Sequence, residues 1–304
     1  MITASHVRKQ FGSVVALDGV TLDIAAGERV AFVGANGSGK TTLLRALLGL
    51  VRFEGRVTIG GSDVAREPEI ALRNVAYIPQ IAPPIDAPVG EVVRALAALR
   101  GHKDGETYAR AARLGLDLSA SRSKKFRELS GGTKQKLLAA MALAADAPVL
   151  VCDEPTANLD GAARLAFIEQ LSERPKNSIF VLSSHRLEEV RQLVDRVVEL
   201  RDGKVVRDAS VAELLRELRA FRVEVTLRAG TTVAEGFLRA RGFVTSGARR
   251  VAAQVAQEEK LNVVTRLLRD HGNDVEDVSV VAVEDLSMAV EPPRASRPRL
   301  KAVV

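Results

Sequence analysis

A glycine-rich turn constrains the fold of this 304-residue chain more than any other segment. Residues 34–41 read GANGSGKT and directly follow the short apolar run at residues 30–33. Leucines at helical spacing come next, so the pattern predicts a strand, a tight turn and a helix in that order. In such a turn successive backbone N–H groups converge at the N-terminus of the helix, which is the arrangement that binds phosphate oxygens.

The spacing GxxxxGK[ST] gives two side chains of this turn specific roles with a nucleoside triphosphate. Lys40 is expected to reach the β- and γ-phosphates of ATP, and the hydroxyl of Thr41 is expected to bind Mg²⁺. The alternative is a glycine-rich turn with a chance lysine, which the flanking strand and helix disfavour.

Two further apolar runs end in polar residues. Residues 149–152 are followed by Asp153 and Glu154, and residues 179–182 are followed by two serines and His185. This pattern is typical of a parallel sheet with its ligand at the carboxyl edge. Asp153 is therefore predicted to hold Mg²⁺ through water, whereas Glu154 points the other way and is predicted to act as general base on water. Acidic pairs are common by chance, so the pair alone is weak evidence.

A second anion-binding turn is predicted at Ser130, Gly131 and Gly132, which we call the signature turn. It opens a predicted helix at residues 133–145 and has neither a lysine nor a metal-binding hydroxyl. One nucleotide does not need two phosphate-binding turns from one chain, so the signature turn is predicted to close over a nucleotide held by a partner molecule. The alternative is a plain helix start capped by Ser130.

Together these residues resemble the nucleotide-binding subunit of ABC transporters, across roughly residues 1–207. The resemblance rests on six motifs in the family's order. They are the Walker A loop at residues 34–42, the Q-loop glutamine Gln80, the signature LSGGTKQK at 129–136, Walker B at 149–154, the D-loop at 157–160 and the switch histidine His185.

The resemblance implies further roles. Gln80 would sense Mg²⁺ and the membrane subunit, and His185 would touch the γ-phosphate beside Lys40 and Glu154. Phe11 would stack on adenine in place of the tyrosine of relatives, although a core position is the alternative for it. Thr133 replaces the usual glutamine after LSGG. The residues implied in nucleotide binding are Phe11, Gly34, Asn36, Gly37, Ser38, Gly39, Lys40, Thr41, Thr42, Ser130, Gly131, Gly132 and Asp160, and those implied in metal binding are Thr41, Gln80 and Asp153.

The predicted fold class is α/β: a P-loop NTPase domain of the ABC type at residues 1–207, with a helical subdomain inserted at about 83–148. A linker follows at 208–219, with a helix predicted from Val211. Residues 220–287 show the order βαββαβ, which predicts a small ferredoxin-like α+β domain. The tail at 288–304 is basic and rich in proline.

Composition narrows the location and the partners. The chain has no apolar stretch long enough to span a bilayer and no secretory signal, so a cytoplasmic location is expected. The resemblance implies that it lies there on the inner face of the cell membrane. The net charge of +6 is spread along the chain. With two tyrosines and no tryptophan it offers few aromatic side chains on which nucleobases could stack, so no nucleic-acid partner is expected. Cys152, the single cysteine, is predicted to be a buried strand residue.

The resemblance implies an ATPase that dimerises with a second copy on ATP and drives a separate integral membrane permease. The C-terminal extension resembles the subfamily with ABC-2-type permeases, which includes exporters of drugs and lipids. The run at residues 183–206 resembles the ATPase of the copper-processing machinery that serves nitrous oxide reductase. An accessory periplasmic or regulatory subunit is a further expected partner. The alternative function is a soluble ABC ATPase that acts on nucleic acid or the ribosome.

Overall fold

A computed structural model of the chain describes residues 1–184, 187–217 and 220–282. By its internal contacts the chain divides into two compact units, Met1–Val211 and Ala212–Val304. In chain order the first unit contains β1 (Ile2–Phe11), β2 (Val14–Ile24), β3 (Arg29–Val33), α1 (Lys40–Leu47), β4 (Glu54–Ile59), β5 (Ser62–Asp63), α2 (Pro68–Leu72), β6 (Val75–Ile78), α3 (Val89–Arg100), α4 (Asp104–Arg113), α5 (Gly131–Ala144), β7 (Val149–Asp153), α6 (Gly161–Ser172), β8 (Ile179–Ser183), α7 (Leu187–Leu193), β9 (Arg196–Arg201) and β10 (Lys204–Ser210).

A six-stranded sheet forms the centre of the first unit, in the order β10-β9-β3-β8-β7-β6. The strands from β9 to β6 run parallel, and β10 is antiparallel to β9. Every residue of β7 and β8 is buried, as expected for strands of a parallel sheet covered on both faces. Asp153 pairs with Ser183, so the carboxyl ends of β7 and β8 lie level at one edge of the sheet.

A second sheet of the first unit is antiparallel, with the order β2-β1-β4-β5. Helix α1 contacts strands of both sheets, and its residues Leu43, Leu44 and Leu47 are completely buried. They share one hydrophobic core with Ile2 of the antiparallel sheet and Phe32 of the central sheet. This core fixes the start of α1, and therefore the glycine-rich turn before it, against the carboxyl edge of β3.

Helices α3, α4 and α5 lie in the chain between the neighbouring parallel strands β6 and β7. They form the predicted helical insertion, and α5 packs against both α4 and β6. The side chain of Phe126, in the segment between α4 and α5, is completely buried. The helix that carries the signature turn is thus packed against the same sheet that carries Asp153.

Helix α8 (Val211–Glu217) leads into the second unit, and the described residues 220–282 follow in the order βαββαβ. Their elements are β11 (Ala220–Leu227), α9 (Thr232–Arg239), β12 (Val244–Thr245), β13 (Arg250–Ala256), α10 (Gln257–His271) and β14 (Val275–Ala282). Residues Val223, Val225, Leu238 and Leu267 belong to the separate hydrophobic core of this unit. The strands form an antiparallel sheet in the order β12-β13-β11-β14, which is that of a ferredoxin-like fold and confirms the predicted fold class.

Two predicted segments differ from the structure. Residues 208–210, predicted to open the linker, complete strand β10 by pairing with β9, and the helix α8 (Val211–Glu217) begins after them. Helix α5 begins two residues before the predicted start at Thr133, because Ser130 caps it there. The end of the predicted second domain at 283–287 and the tail at 288–304 lie outside the described residues.

Within the part of the chain that the structure describes, no helix is long and apolar enough to cross a membrane.

Candidate nucleotide-binding site

The glycine-rich turn lies between β3 and α1, as the spacing predicts. Its conformation requires glycine at both ends. Gly34 has φ +143°, and a Cβ there would collide with the carbonyl oxygen of Leu200. Gly39 has φ +107°, and a Cβ there would lie 2.6 Å from the carbonyl oxygen of Ala16. Larger residues at either position would therefore force the turn away from the strands that support it.

Lys40 is held inside this turn. Its side chain is buried, and Nζ donates hydrogen bonds to the carbonyl oxygens of Gly34 at 2.7 Å and Ala35 at 3.1 Å. Burial lowers the pKa of the Lys40 ammonium, while the carboxylates of Glu154 and Asp153 oppose that shift. Lys40 therefore lies close enough to Asp153, the last residue of β7, and to Glu154, the next residue in the chain, for their charges to influence its pKa.

Asp153 and Thr41 meet at the same edge of the sheet. The Thr41 hydroxyl donates to Oδ1 of Asp153 at 3.0 Å, and the Ser183 hydroxyl donates to the same oxygen at 2.6 Å. The other oxygen, Oδ2, is buried and has no hydrogen-bond partner among the described residues. A buried carboxylate oxygen without a donor fits a metal ion or its bound water, so Thr41 and Asp153 could hold Mg²⁺.

The rest of the turn offers room and donors for phosphate. Ala35, Asn36 and Gly37 are exposed, and Thr42 is half-buried. The hydroxyl of Ser38 is buried without a hydrogen-bond partner in the described part of the chain. These features fit a polyphosphate in the turn, since a bound phosphate supplies the acceptors that Ser38 and the first N–H groups of α1 lack.

Glu154 follows β7 in an unusual backbone conformation, with φ +47°. Its N–H group donates to the carbonyl oxygen of Ser183 at 3.1 Å and to the Ser183 hydroxyl at 3.0 Å. The Glu154 carboxylate lies close enough to Lys40 to influence the pKa of the Lys40 ammonium. The structure thus brings Lys40, Thr41, Asp153 and Glu154 together.

Gln80 and Phe11, which are predicted to contact Mg²⁺ and adenine, lie on other parts of the first unit. Gln80 is half-buried two residues beyond β6, the strand next to β7. Phe11 is 50% exposed in the hairpin of β1 and β2, with Nζ of Lys9 over its ring at 4.6 Å from the centroid. The alternative of a core position for Phe11 is therefore wrong. Its stacking on adenine stays a prediction.

The signature turn lies at the start of α5, on the surface. Ser130 and Gly131 are exposed, and Gly132 is half-buried. The Ser130 hydroxyl accepts from the N–H group of Thr133 at 3.2 Å and lies 2.8 Å from the Thr133 hydroxyl. The Ser130 hydroxyl therefore caps α5. A contact of the signature turn with a partner's nucleotide stays a prediction.

Asp160 has two contacts within its own chain. It caps α6, since its Oδ1 accepts from the N–H group of Ala163 at 2.9 Å. Its Oδ2 lies 2.7 Å from Nζ of Lys136, a contact that lowers the pKa of the Asp160 carboxyl. Its role in nucleotide binding stays a prediction. His185 lies outside the described residues.

Two buried polar residues near Glu154 were not predicted from the sequence. Gln135 on α5 donates to the carbonyl oxygen of Pro155 at 3.0 Å. Glu189 on α7 accepts from the hydroxyl of Ser184 at 2.7 Å and from that of Thr156. The only signal for them is a polar residue on the buried face of a helix whose other residues there are apolar.

Comparison with known proteins identifies the family. A family model described as ABC transporter matches residues 17–157. A daunorubicin resistance ATP-binding protein of Streptomyces coeruleorubidus is 32% identical over 289 residues, which cover 92% of this chain and 91% of that protein.

The chain belongs to the ABC transporter ATP-binding family.

A second relative and two solved structures agree with this assignment. A putative ABC transporter ATP-binding protein of Halobacterium salinarum is 35% identical over 222 residues, 70% of this chain and 95% of that protein. Among solved structures, an ATP-binding subunit of an ABC transporter matches with a TM-score of 0.64 and 26% identity, covering 79% of this chain and 99% of that one. A dimeric ATP-binding cassette with bound ADP and phosphate matches with a TM-score of 0.61 and 25% identity, covering 69% and 99%.

The membership confirms the predicted activity. ATP-binding proteins of the ABC family hydrolyse ATP to power transport, and this chain is an ATPase of that kind.

Proposed function

We propose that two copies of this chain close on ATP and drive a separate membrane permease from the cytoplasmic face of the membrane. The observation that carries this proposal is the pair of unequal phosphate-binding turns in one chain. The turn at residues 34–41 contains Lys40, and its Thr41 is hydrogen-bonded to the carboxylate of Asp153. The exposed signature turn has neither a lysine nor a carboxylate that could hold a metal ion. A second copy would complete each half-site, and the similarity to a dimeric cassette supports this arrangement.

The residues at the carboxyl edge of the central sheet have different proposed roles in ATP hydrolysis. Thr41, Asp153 and Gln80 would hold Mg²⁺, which when bound neutralises charge on the phosphates. Lys40 stabilises negative charge that develops on the γ-phosphate, because its ammonium is already desolvated and oriented. Glu154 orients the attacking water and takes its proton. His185 is proposed to steady the γ-phosphate on the strength of its motif alone.

A groove on the first unit is the proposed contact for the permease. It is a cavity of about 230 Å³ lined by Arg100 and by apolar side chains from α3, α5 and the region before β6, which include Leu50, Leu72, Leu96 and Met141. Leu50 is 57% exposed there. Gln80 follows β6, which also lines the groove through Tyr77, so a helix bound in the groove would contact the strand that leads to Gln80.

An ABC-2-type exporter is the proposed class of the whole machine. The relative from Streptomyces coeruleorubidus is named for drug resistance, and the match to it extends over 92% of this chain. A role in copper-enzyme maturation has the resemblance of residues 183–206 as its only support and stays a prediction. The βαββαβ unit is the proposed contact for an accessory or regulatory subunit.

Co-purification tests the proposal. A tagged chain, extracted from its own cells with mild detergent, should carry an integral membrane polypeptide with it. Leu50→Arg should lose that polypeptide, because a charge in the groove disfavours an apolar contact. Leu165→Arg makes the same change at a leucine of α6 that is 67% exposed, and it should retain the polypeptide. Recovery of nucleic acid or ribosomal proteins without a membrane protein would instead favour the soluble ABC ATPase.

A further inference from the structure

The catalytic carboxylate sits on a strained stretch of backbone. Glu154 has φ +47°, a left-handed conformation that is unfavourable for a bulky residue and persists only where its surroundings enforce it. Its N–H group is fixed by two hydrogen bonds to Ser183. These bonds fix the start of the turn at residues 154–156, which we call the Glu154 turn, but not the two residues that follow.

Those two residues are held by buried side chains from different helices. Gln135 of α5 is 2% exposed, and its Nε2 donates to the carbonyl oxygen of Pro155 at 3.0 Å. Thr156 is 1% exposed, and its hydroxyl donates to Oε1 of Glu189, which is 3% exposed on α7. The Glu154 turn is therefore held on both sides.

Burial makes these contacts specific. A buried donor or acceptor that loses its partner has no water to replace it, so each hydrogen bond allows one arrangement of the turn. The other oxygen of Glu189 accepts from the hydroxyl of Ser184 at 2.7 Å, the residue that precedes His185 in the chain. Glu189 thus connects the Glu154 turn to the end of β8, and Gln135 connects it to the helix that begins at the signature turn.

We propose that Gln135 and Glu189 are positioning residues that fix the Glu154 turn and link it to the signature helix of the same subunit. This inference rests on the proposed role of Glu154 as general base. A displacement of α5, which carries the turn that faces a partner's nucleotide, moves the carbonyl of Pro155 and with it the catalytic carboxylate. Each active site thereby responds to what its own subunit contacts in the other half of the dimer.

The first test compares two buried glutamines. Gln135→Met removes the donor to Pro155. Gln170→Met is the matched control, because Gln170 is 1% exposed and donates to the carbonyl oxygen of Arg110 at 3.4 Å, within the same unit but on α6. Gln135→Met should lower kcat by about 10- to 100-fold with KM for ATP changed less than about threefold, since misplacing a catalytic group affects the transition state more than ground-state binding. Gln170→Met should leave kcat within about threefold of wild type.

A readout besides activity is amide hydrogen exchange. Exchange in a peptide that spans residues 153–159 should become faster in Gln135→Met and remain unchanged in Gln170→Met, both measured without nucleotide. Thr156→Val keeps the shape of the side chain and removes its hydroxyl, whereas Glu189→Met removes the oxygens that accept from Thr156 and from Ser184. Thr156→Val should therefore lower activity in the wild type but lower it no further in Glu189→Met, where the contact is already broken.

The outcomes are distinct. If Gln135→Met and Gln170→Met lower kcat equally, or if Thr156→Val lowers activity in Glu189→Met as much as it does in wild type, the positioning role is overturned. Glu154→Gln is measured beside them. If Glu154→Gln turns over ATP like wild type, the proposed general base fails and the inference falls with it. If Glu154→Gln is inactive while Gln135→Met is normal, the general base stands and only the positioning role is wrong.

Discussion

Substituting Lys40 by methionine separates binding of the γ-phosphate from stability of the fold. Methionine keeps the length of the side chain and removes its charge. Nζ donates to the carbonyl oxygens of Gly34 and Ala35, so the substitution removes two charge-assisted hydrogen bonds. It also removes a cation whose pKa burial lowers.

These two effects on stability oppose each other. Hydrogen bonds to a charged donor contribute about 1.5–3 kcal/mol each. Desolvating an ion costs several kcal/mol, so most of that contribution is offset in the wild type. The free energy of unfolding of Lys40→Met should therefore lie within about 2 kcal/mol of wild type, or within about 8 °C in Tm for a unit of about 200 residues. Hydrolysis should fall by about 100-fold or more, which corresponds to at least about 2.7 kcal/mol of lost transition-state stabilisation.

The assay pairs thermal unfolding without nucleotide with steady-state hydrolysis of ATP. Lys176→Met is the matched control, because it makes the same chemical change at an exposed lysine outside the site. It should retain wild-type hydrolysis. If Lys40→Met kept even a third of wild-type turnover, or if its Tm fell far beyond the stated range, the reading of Lys40 as a preorganised phosphate ligand would be refuted.

Three further predictions concern the proposed Mg²⁺ ligand Asp153, the ion pair of Glu173 and the contact of Phe11 with adenine. Asp153→Asn should lower kcat by about 100-fold and raise the Mg²⁺ concentration needed for half-maximal hydrolysis, since the amide still accepts from Thr41 but carries no charge. An unchanged Mg²⁺ titration contradicts it. The hydrogen bond from Arg113 lowers the pKa of Glu173 from 4.5 to about 2. The ion pair therefore stabilises the fold above the unfolded-state pKa and loses that effect as the pH falls through the folded pKa. In denaturant unfolding, the advantage of wild type over Glu173→Gln should be smaller at about pH 3 than at about pH 6, and an equal advantage at both refutes the link. Phe11→Ala should raise KM for ATP by about 10-fold without lowering Tm, because the ring is 50% exposed. An unchanged KM means that another group contacts adenine.

The meeting of Thr41 and Asp153 could be predicted because it follows from topology. Asp153 ends the parallel strand β7, and Thr41 lies at the start of the helix after the turn that follows the parallel strand β3; the carboxyl ends of such strands share one edge of the sheet. The conformation of the turn follows from Gly34 and Gly39, whose positive φ angles no larger residue adopts easily. Local sequence was sufficient for both.

The antiparallel sheet of β1, β2, β4 and β5 was not predicted. The alternation of buried and exposed residues in β1 is broken where its pairing with β2 shifts register, for example between Ala4 and Val7. A bulge of this kind removes the period of two by which a half-buried strand is recognised. The exposure of Phe11 at the end of this hairpin could not be deduced for the same reason.

Gln135 and Glu189 were missed because their partners are distant in sequence. Gln135 contacts a carbonyl 20 residues away, and Glu189 contacts a hydroxyl 33 residues away. The positive φ of Glu154 likewise depends on Ser183, which lies on the neighbouring strand. The sequence predicts which residue types meet at the sheet edge, whereas tertiary packing decides how the catalytic turn is held.

The most direct test of the central proposal uses Glu154→Gln, which should bind ATP without cleaving it. Purified with ATP and Mg²⁺, this variant should sediment as a dimer with one ATP per chain, and the dimer should dissociate when Lys40→Met is added to the same chain. Two half-sites from different molecules around each triphosphate predict that result. A variant that binds one ATP per chain and remains a monomer, with the signature turn open to solvent, would contradict it.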